Sequence, residues 1–356
     1  DGFGKAENLA QIRVARAGLD SSNWQFQQTL IDIITEVISS YHLLYFARRN
    51  LEVAIDSRDL AQTLLRENRR RVELGTMADV DTLQAASQLA LREERVLDAR
   101  RLYRNRKIQF LSVISDEVEG LLALDVEIAP PPDAVYRPTD VKRDFRTALE
   151  HRPGCQAARI DLHTREVLLA RDKRRALPTL NLFGRLGYSG FDRDAGATFD
   201  EVRDANFETW SLGASFQQPI TNRTARADQT ASLLLRNRAE KEITRLKQQI
   251  LVLVDNGARQ IRTDWERIEA ARQAREITRR SLDGEEKRLE LGTTSSFVVL
   301  RLQNDLAEAE VRELQAVVDY NQSLAAYNRI LGTTLQRHNV TTVGSQSDET
   351  SEGRQN

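Results

Sequence analysis

The chain has 356 residues, with 52 Lys and Arg against 53 Asp and Glu, for a net charge of −1. A charged fraction of 29% with no surplus of either sign excludes a basic nucleic-acid-binding surface and an acidic tail, so most charges belong on solvated helix faces. Only 17 Gly and 7 Pro punctuate the chain, which predicts long uninterrupted elements, and the single cysteine, Cys155, excludes an internal disulfide framework and a Cys-based metal cage.

Asp1-Gly2-Phe3-Gly4-Lys5 has neither a basic n-region nor an apolar h-region and reads as the interior of a longer, N-terminally truncated chain. A helix is predicted from about Lys5 to Glu73, roughly 100 Å at 1.5 Å per residue. Along it Leu30, Val37, Leu44 and Leu51 recur every seven residues, with Ile33, Ala47, Ala54 and Ala61 on a second track. Strict spacing of this kind predicts helices that coil around partners, and alanine lets them approach closely. No run of about 18 apolar residues is present, which predicts no membrane-spanning helix and says nothing of a β-barrel. Gly75 ends the helix, Asp79 is the expected N-cap of a returning one, and Leu83, Ala90 and Leu97 continue the seam.

A linker containing Pro130-Pro131-Pro132 leads to short helices predicted over Thr139 to Glu150 and Pro153 to Arg175, where Pro153 suits a first helical turn. Pro178 stops the helical pattern and the period changes to two. Leu180, Leu182, Leu186 and Tyr188 alternate with Asn181, Arg185 and Ser189; after a loop rich in Asp and Gly, Phe191 to Asn206, Trp210, Leu212, Ala214 and Phe216 alternate with Thr209, Ser211, Ser215 and Gln217. Strands of about 10 to 12 residues match a tilted bilayer span. Leu180, Leu182, Leu186, Tyr188, Trp210, Leu212 and Phe216 are then the lipid face, with Tyr188 and Trp210 as an aromatic girdle, while Asn181, Arg185 and Ser215 face a lumen. Two strands cannot close a barrel and lipid tolerates no open edge, so an oligomer must complete it.

Beyond Pro219, Ile243, Leu246, Ile250, Leu253 and Val254 form the seam of another long helix, broken at Gly292, with Ser295 or Ser296 as N-cap and Leu300, Ala307 and Leu314 in the return. Glu73-Leu74-Gly75-Thr76 recurs as Glu290-Leu291-Gly292-Thr293, and residues 73–103 align without a gap on 290–320 with 12 of 31 identical. The chain is thus a duplicated helical hairpin with a β-hairpin between its copies. An exposed leucine at each tip, Leu74 and Leu291, beside Thr76 and Thr293, calls for a partner. The residues after Gln336, rich in Ser, Thr and Gly, are predicted to be disordered.

Nothing predicts an enzyme. His42, His151, His163 and His338 have no paired metal-ligand spacing, Gly184, Gly187 and Gly190 miss the nucleotide fingerprint, and Asp192, Asp194 and Asp200 miss the calcium-loop spacing. No catalytic residue, metal or cofactor is therefore expected.

Val72-Glu73-Leu74-Gly75-Thr76 with Asp81-Thr82-Leu83-Gln84-Ala85, then Leu177-Pro178-Thr179-Leu180, Trp210-Ser211-Leu212-Gly213, and Leu289-Glu290-Leu291-Gly292-Thr293 ending at Asn328-Arg329-Ile330-Leu331-Gly332 stand in an order that resembles the TolC-like outer-membrane efflux protein family. The resemblance covers nearly the whole chain. It implies a mainly α fold with a membrane β-hairpin, in which duplicated long helical hairpins form an α-barrel tunnel and three protomers build a twelve-stranded β-barrel. It divides the chain into a first helical-hairpin repeat (1–115, its preceding β-hairpin missing), an equatorial linker and helix (116–176), an outer-membrane β-hairpin (177–220), a second repeat (221–334) and a tail (335–356). Gly2-Phe3-Gly4 then follow a missing first β-hairpin. The implied function is a passive exit duct in the outer membrane, its helices in the periplasm, serving a tripartite efflux or type I secretion system. Its partners would be two further copies in a homotrimer, outer-membrane lipid, an inner-membrane pump, and a periplasmic adaptor, or membrane fusion protein, met at Leu74, Gly75, Thr76, Leu291, Gly292 and Thr293. The resemblance also places an entrance gate just beyond these tips, at Asp79, Asp81 and Arg301. The acidic ring is kept by Asp81 but replaced by Val298 and Arg301 in the second copy, and a pairing of Asp79 or Asp81 with Arg301 is expected. A soluble coiled-coil scaffold is the rival reading, and the apolar-faced β-hairpin speaks against it.

Overall fold

The computed structural model describes residues 9–116, 120, 124, 126–131, 133–188, 208–218 and 220–341. In chain order they form α1 (Ala10–Glu73), α2 (Asp79–Ile114), α3 (Val141–His151), α4 (Pro153–Arg175), β1 (Thr179–Tyr188), β2 (Glu208–Gln217), α5 (Arg223–Glu290), α6 (Ser296–Leu331) and α7 (Thr334–Arg337). Gly2-Phe3-Gly4, the predicted helix start at Lys5, Pro132, Ser189, the Phe191 to Asn206 loop with its three aspartates, Pro219 and residues 342–356 lie outside the described residues. The disorder expected after Gln336 does not extend over the described residues there: α7 follows Gly332, and Val340 N–H donates to Leu335 O at 2.9 Å.

The chain divides into two compact units, one of Asp1–Gln25 with Gly154–Lys247 and one of Phe26–Pro153 with Gln248–Asn356. In the first, β1 and β2 pair antiparallel with Leu180 opposite Phe216, Leu182 opposite Ala214 and Leu186 opposite Trp210. Because side chains alternate with period two, this register gathers the apolar residues of both strands on one face. On the other face Asn181 pairs with Ser215 and Arg185 with Ser211, and the Phe183 ring covers Gly213, where no Cβ would fit. Next to the strands, Ser232 Oγ of α5 donates to Asp172 Oδ2 of α4 at 2.5 Å, the other carboxylate oxygen accepts from Arg171 Nε of the same helix at 2.9 Å, and Asn222 Nδ2, just before α5, donates to Ala176 O, just after α4, at 2.8 Å.

In the second unit both helical hairpins pack together. Just behind the tips, Ala61, Leu64 and Leu65 of α1, Ala85 of α2, Leu282 and Leu289 of α5, and Val299 and Leu300 of α6 form one buried cluster. Farther along, Leu44, Phe110 and Ile128 form another, flanked by Val37, Tyr41, Tyr45 and Tyr103. The linker is strapped to both copies by its backbone: Tyr41 and Arg48 donate to Ala129 O and Ile128 O, while the buried Tyr320 hydroxyl donates to Val135 O and accepts from Arg137 N–H. α3 is fixed by Asp140, whose side chain caps the N–H groups of Lys142 and Arg143, and by Tyr327 Oη donating to buried Asp144 at 2.8 Å.

Two expectations change. One 18-residue window of α1 reaches a mean hydropathy of 1.3, which the search for an apolar run missed, because the apolar residues form several seams interrupted by isolated polar ones. Those seams are packing faces: Leu44, Ala47 and Ala61 are fully buried, and Asp32 in the same stretch pairs with Arg329 at 2.6 Å. The returning seams also differ between copies. Leu300 is 1% exposed, whereas its counterpart Leu83 is 66% exposed and Leu97 is 63% exposed, so the first copy's return is left uncovered within one chain.

Candidate functional site: the hairpin tips, the cleft behind them and the β-hairpin face

Both long helices end in the same way. Gly75 and Gly292 each have φ +70°, the left-handed conformation that only glycine adopts freely. Gly75 N–H donates to Val72 O and Thr76 N–H to Arg71 O, both at 2.9 Å; Gly292 N–H donates to Leu289 O at 3.0 Å and Thr293 N–H to Arg288 O at 2.9 Å. This double closure is a Schellman motif. Each threonine adds a lock the backbone motif lacks, since Thr76 Oγ1 donates to Arg71 O and Thr293 Oγ1 to Arg288 O, both at 3.0 Å. The result is two rigid turns that leave Leu74 70% and Leu291 78% exposed.

The predicted caps are corrected. Ala78, not Asp79, is the N-cap of α2; Asp79 is its first helical residue, where a carboxylate favours the helix dipole without capping. Ser295 sits at the N-cap position of α6 but makes no cap bond, and Ser296, one residue into the helix, is buried with its hydroxyl accepting from Asn68 Nδ2 at 3.1 Å.

Asp79 and Asp81 do not pair with Arg301 among the described residues. Arg301 instead lines a cleft of about 280 Å³ between α2 and α6 with Arg92, Arg95, Gln88 and Asn304. Sequence reasoning missed Arg92, a fully buried guanidinium that donates to Ser57 O at 2.8 Å and Leu300 O at 2.9 Å and so ties α1 and α2 to α6. Burial, then the nearby Arg95, pushes it down to about 10. The signal was present in the repeat: the residue opposite Arg92 is Ala309, itself buried, so the arginine stands where the other copy needs a small side chain. Asn68, 1% exposed, was missed for the same reason, since polar residues on a long helix were assigned to solvent.

On the β-hairpin, Leu180, Leu182, Leu186, Trp210, Leu212 and Phe216 are 50% to 80% exposed on the shared face, and the Tyr188 side chain lies outside the described ones. Exposed apolar residues of both strands thus lie on one face of the two-stranded sheet. Among the described residues no three His, Cys, Asp or Glu side chains come together to hold a metal.

The family description "Outer membrane efflux protein" matches residues 145–333, more than half of the chain. The chain belongs to the outer membrane efflux protein family. Within this efflux family it is 22% identical over 332 residues to the outer membrane efflux protein BepC of Brucella suis, covering 90% of this chain and 66% of that protein. The chain therefore spans just under two thirds of the length of that relative. Its fold is that of the CmeC outer membrane channel of Campylobacter jejuni (TM-score 0.77, 16% identity, 96% of this chain and 70% of that one) and of the outer membrane protein VceC of Vibrio cholerae (TM-score 0.76, 17% identity, 93% and 77%). These matches agree with a TolC-like efflux protein located in the outer membrane.

Proposed function

We propose that the protein is the channel subunit of a tripartite efflux or type I secretion system, a passive duct that carries out no chemistry and docks a periplasmic adaptor and its inner-membrane pump through the hairpin tips. The observation that carries this reading is the pair of tips: two turns 217 residues apart share every hydrogen bond and each presents an exposed leucine. Rigidity explains the threonine locks and exposure explains the leucines, and a merely structural turn needs neither. Leu74, Gly75, Thr76, Leu291, Gly292 and Thr293 are the docking residues, and the duplication lets three chains offer six nearly equivalent ones.

Two incomplete surfaces support the three-fold assembly that the family resemblance implies. The uncovered Leu83 and Leu97 of α2 need a neighbouring chain, and a two-stranded sheet with open edges needs neighbours to close a twelve-stranded barrel in lipid. The division into two helical repeats, a linker and a membrane β-hairpin serves that assembly. Asp79, Asp81 and Arg301, which do not pair with one another among the described residues, are the entrance charges, acting between neighbours. An inner ring of mixed sign sets which ions pass.

The test is site-specific photocrosslinking in cells, with a crosslinking residue at position 74 or 291 of the full-length protein and, as control, at Arg100 on the outer face of α2. Adducts to an envelope adaptor from both tips, and loss of efflux in a Leu74→Asp/Leu291→Asp double variant that still reaches the outer membrane, are expected. Crosslinking no stronger than at position 100, with efflux retained, would remove the docking role.

A further inference from the structure

Arg92 is a cation buried without a counter-charge. Only 2% of it is exposed, its two terminal nitrogens reach backbone carbonyls of Ser57 and Leu300, with Gln303 Oε1 at 3.4 Å, and no carboxylate touches it. Its third nitrogen, Nε, has no acceptor among the described residues. Buried charges are ordinarily paired, because desolvation is otherwise uncompensated. Here the neighbours worsen the imbalance. The 280 Å³ cleft that Arg92 lines also holds Arg95 and Arg301, and no carboxylate lines it among the described residues. Arg95 reaches Glu308 at 3.7 Å and donates to Asn304, and Arg301 is without a partner among the described residues. Among the described residues these three guanidinium groups thus share one ion-paired carboxylate.

We infer that this cleft binds a small oxyanion, a phosphate or carboxylate group, held at the mouth by Arg301 and Arg95 over buried Arg92, with the Gln88 amide as a neutral donor. The forked guanidinium matches two oxygens at once, which suits oxyanions above halides. The volume admits such a group with part of its hydration shell, a water occupying about 30 Å³. A bound anion supplies the counter-charge that Arg92 lacks and spans α2 of the first copy and α6 of the second, so its binding stiffens the bundle behind the tips. This inference stands independently of the transport reading.

The experiment is calorimetric titration of the full-length protein in detergent with inorganic phosphate, and separately with malonate, at an ionic strength held constant with chloride. Amide exchange over 88–95 and 297–304 is followed in parallel. Saturable binding with slowed exchange in both segments is expected. Arg301→Gln and Arg95→Gln, exposed side chains whose loss leaves the core intact, each weaken it about tenfold or more, as loss of a charge-assisted hydrogen bond does. Arg101→Gln, paired to Asp98 outside this cleft, leaves binding unchanged. Binding of phosphate alone defines a phosphate site and binding of both a general oxyanion site. No saturable binding beyond chloride, or wild-type affinity in Arg301→Gln, overturns the inference.

Discussion

Replacing Gly332 with alanine separates the cost of a backbone conformation from the cost of a collision. Three helices end at a glycine with positive φ: Gly75 and Gly292 at +70° and Gly332 at +74°. A Cβ added at Gly75 or Gly292 meets nothing within 4 Å, whereas at Gly332 it lies 2.7 Å from His151 O and 2.8 Å from Arg152 Cα. At the tips, therefore, alanine carries only the left-handed penalty, about 1–2 kcal/mol, partly offset by about 0.4–1 kcal/mol from a less flexible unfolded chain. Each tip variant should lose about 1 kcal/mol. At Gly332 the overlapping atoms are backbone at the end of α3, which cannot rotate aside, and forced overpacking adds about 1–3 kcal/mol. The assay is the thermal midpoint of the three single variants at matched scan rate and protein concentration, with amide exchange over 141–151. Gly75→Ala and Gly292→Ala should shift alike and leave α3 protected, while Gly332→Ala shifts two- to fourfold further and exposes α3. Equal shifts for all three would refute the collision, and unequal tip shifts would refute the equivalence of the turns.

Gly257→Ala should destabilise by about 1–3 kcal/mol through overpacking, because its Cβ would sit 2.7 Å from Cδ2 of the Tyr327 ring; denaturant midpoints measure this, and a neutral result would mean the α5–α6 contact is loose. Burial acts to raise the Asp172 carboxyl, but bonds from Ser232 and Arg171 outweigh it and hold the group below the usual carboxylate range. Its contribution is therefore present above the unfolded value of about 3.9 and lost as pH falls through the lower folded value. Asp172→Asn should flatten the acid limb of a stability–pH curve, and an unchanged limb would count against the depressed group. Leu182→Arg on the apolar face of β1 should cut folding yield into lipid vesicles, costing about 2–4 kcal/mol near mid-bilayer, whereas Ser215→Arg on the opposite face should be tolerated. Equal yields would show that the face does not meet lipid.

How much was legible varied with how many constraints each feature satisfied. The tips were readable because one glycine, one leucine and one threonine recur at a fixed offset, and the left-handed turn demands the glycine. The β-hairpin was readable because a period of two is unlike anything around it, and the register confirmed that Leu180, Leu182 and Leu186 share a face with Trp210 and Phe216. One cap was misjudged because a single residue decides it: the sequence offers Asp79, yet Ala78 holds that position, whereas Ser295 does stand at the N-cap of α6, without a side-chain bond to the helix end. Arg92 and Asn68 were invisible to heptad reading, which sends polar residues to solvent and cannot see that a third and fourth helix cover them.

The repeat also conceals a division of labour. Identical residues at Leu83 and Leu300 end in opposite environments, 66% and 1% exposed, because α6 turns Leu300 into the cluster shared by the two hairpins while α2 meets that cluster through Ala85 and leaves the Leu83 face uncovered. The same asymmetry explains Arg92. Where the second copy places buried Ala309, the first places a guanidinium that reaches across to Leu300 O, so the contact between copies is specified by a polar bridge that only one arrangement can satisfy. A duplicated hairpin has an inherent ambiguity, since either copy could pack on its twin in another chain. Arg92 bears on that choice: a pairing that puts Arg92 against another Arg92 buries two cations together, whereas first copy against second adds Leu300 O to the Ser57 O that its own copy supplies. The turns stay alike, bond for bond, while the faces behind them diverge.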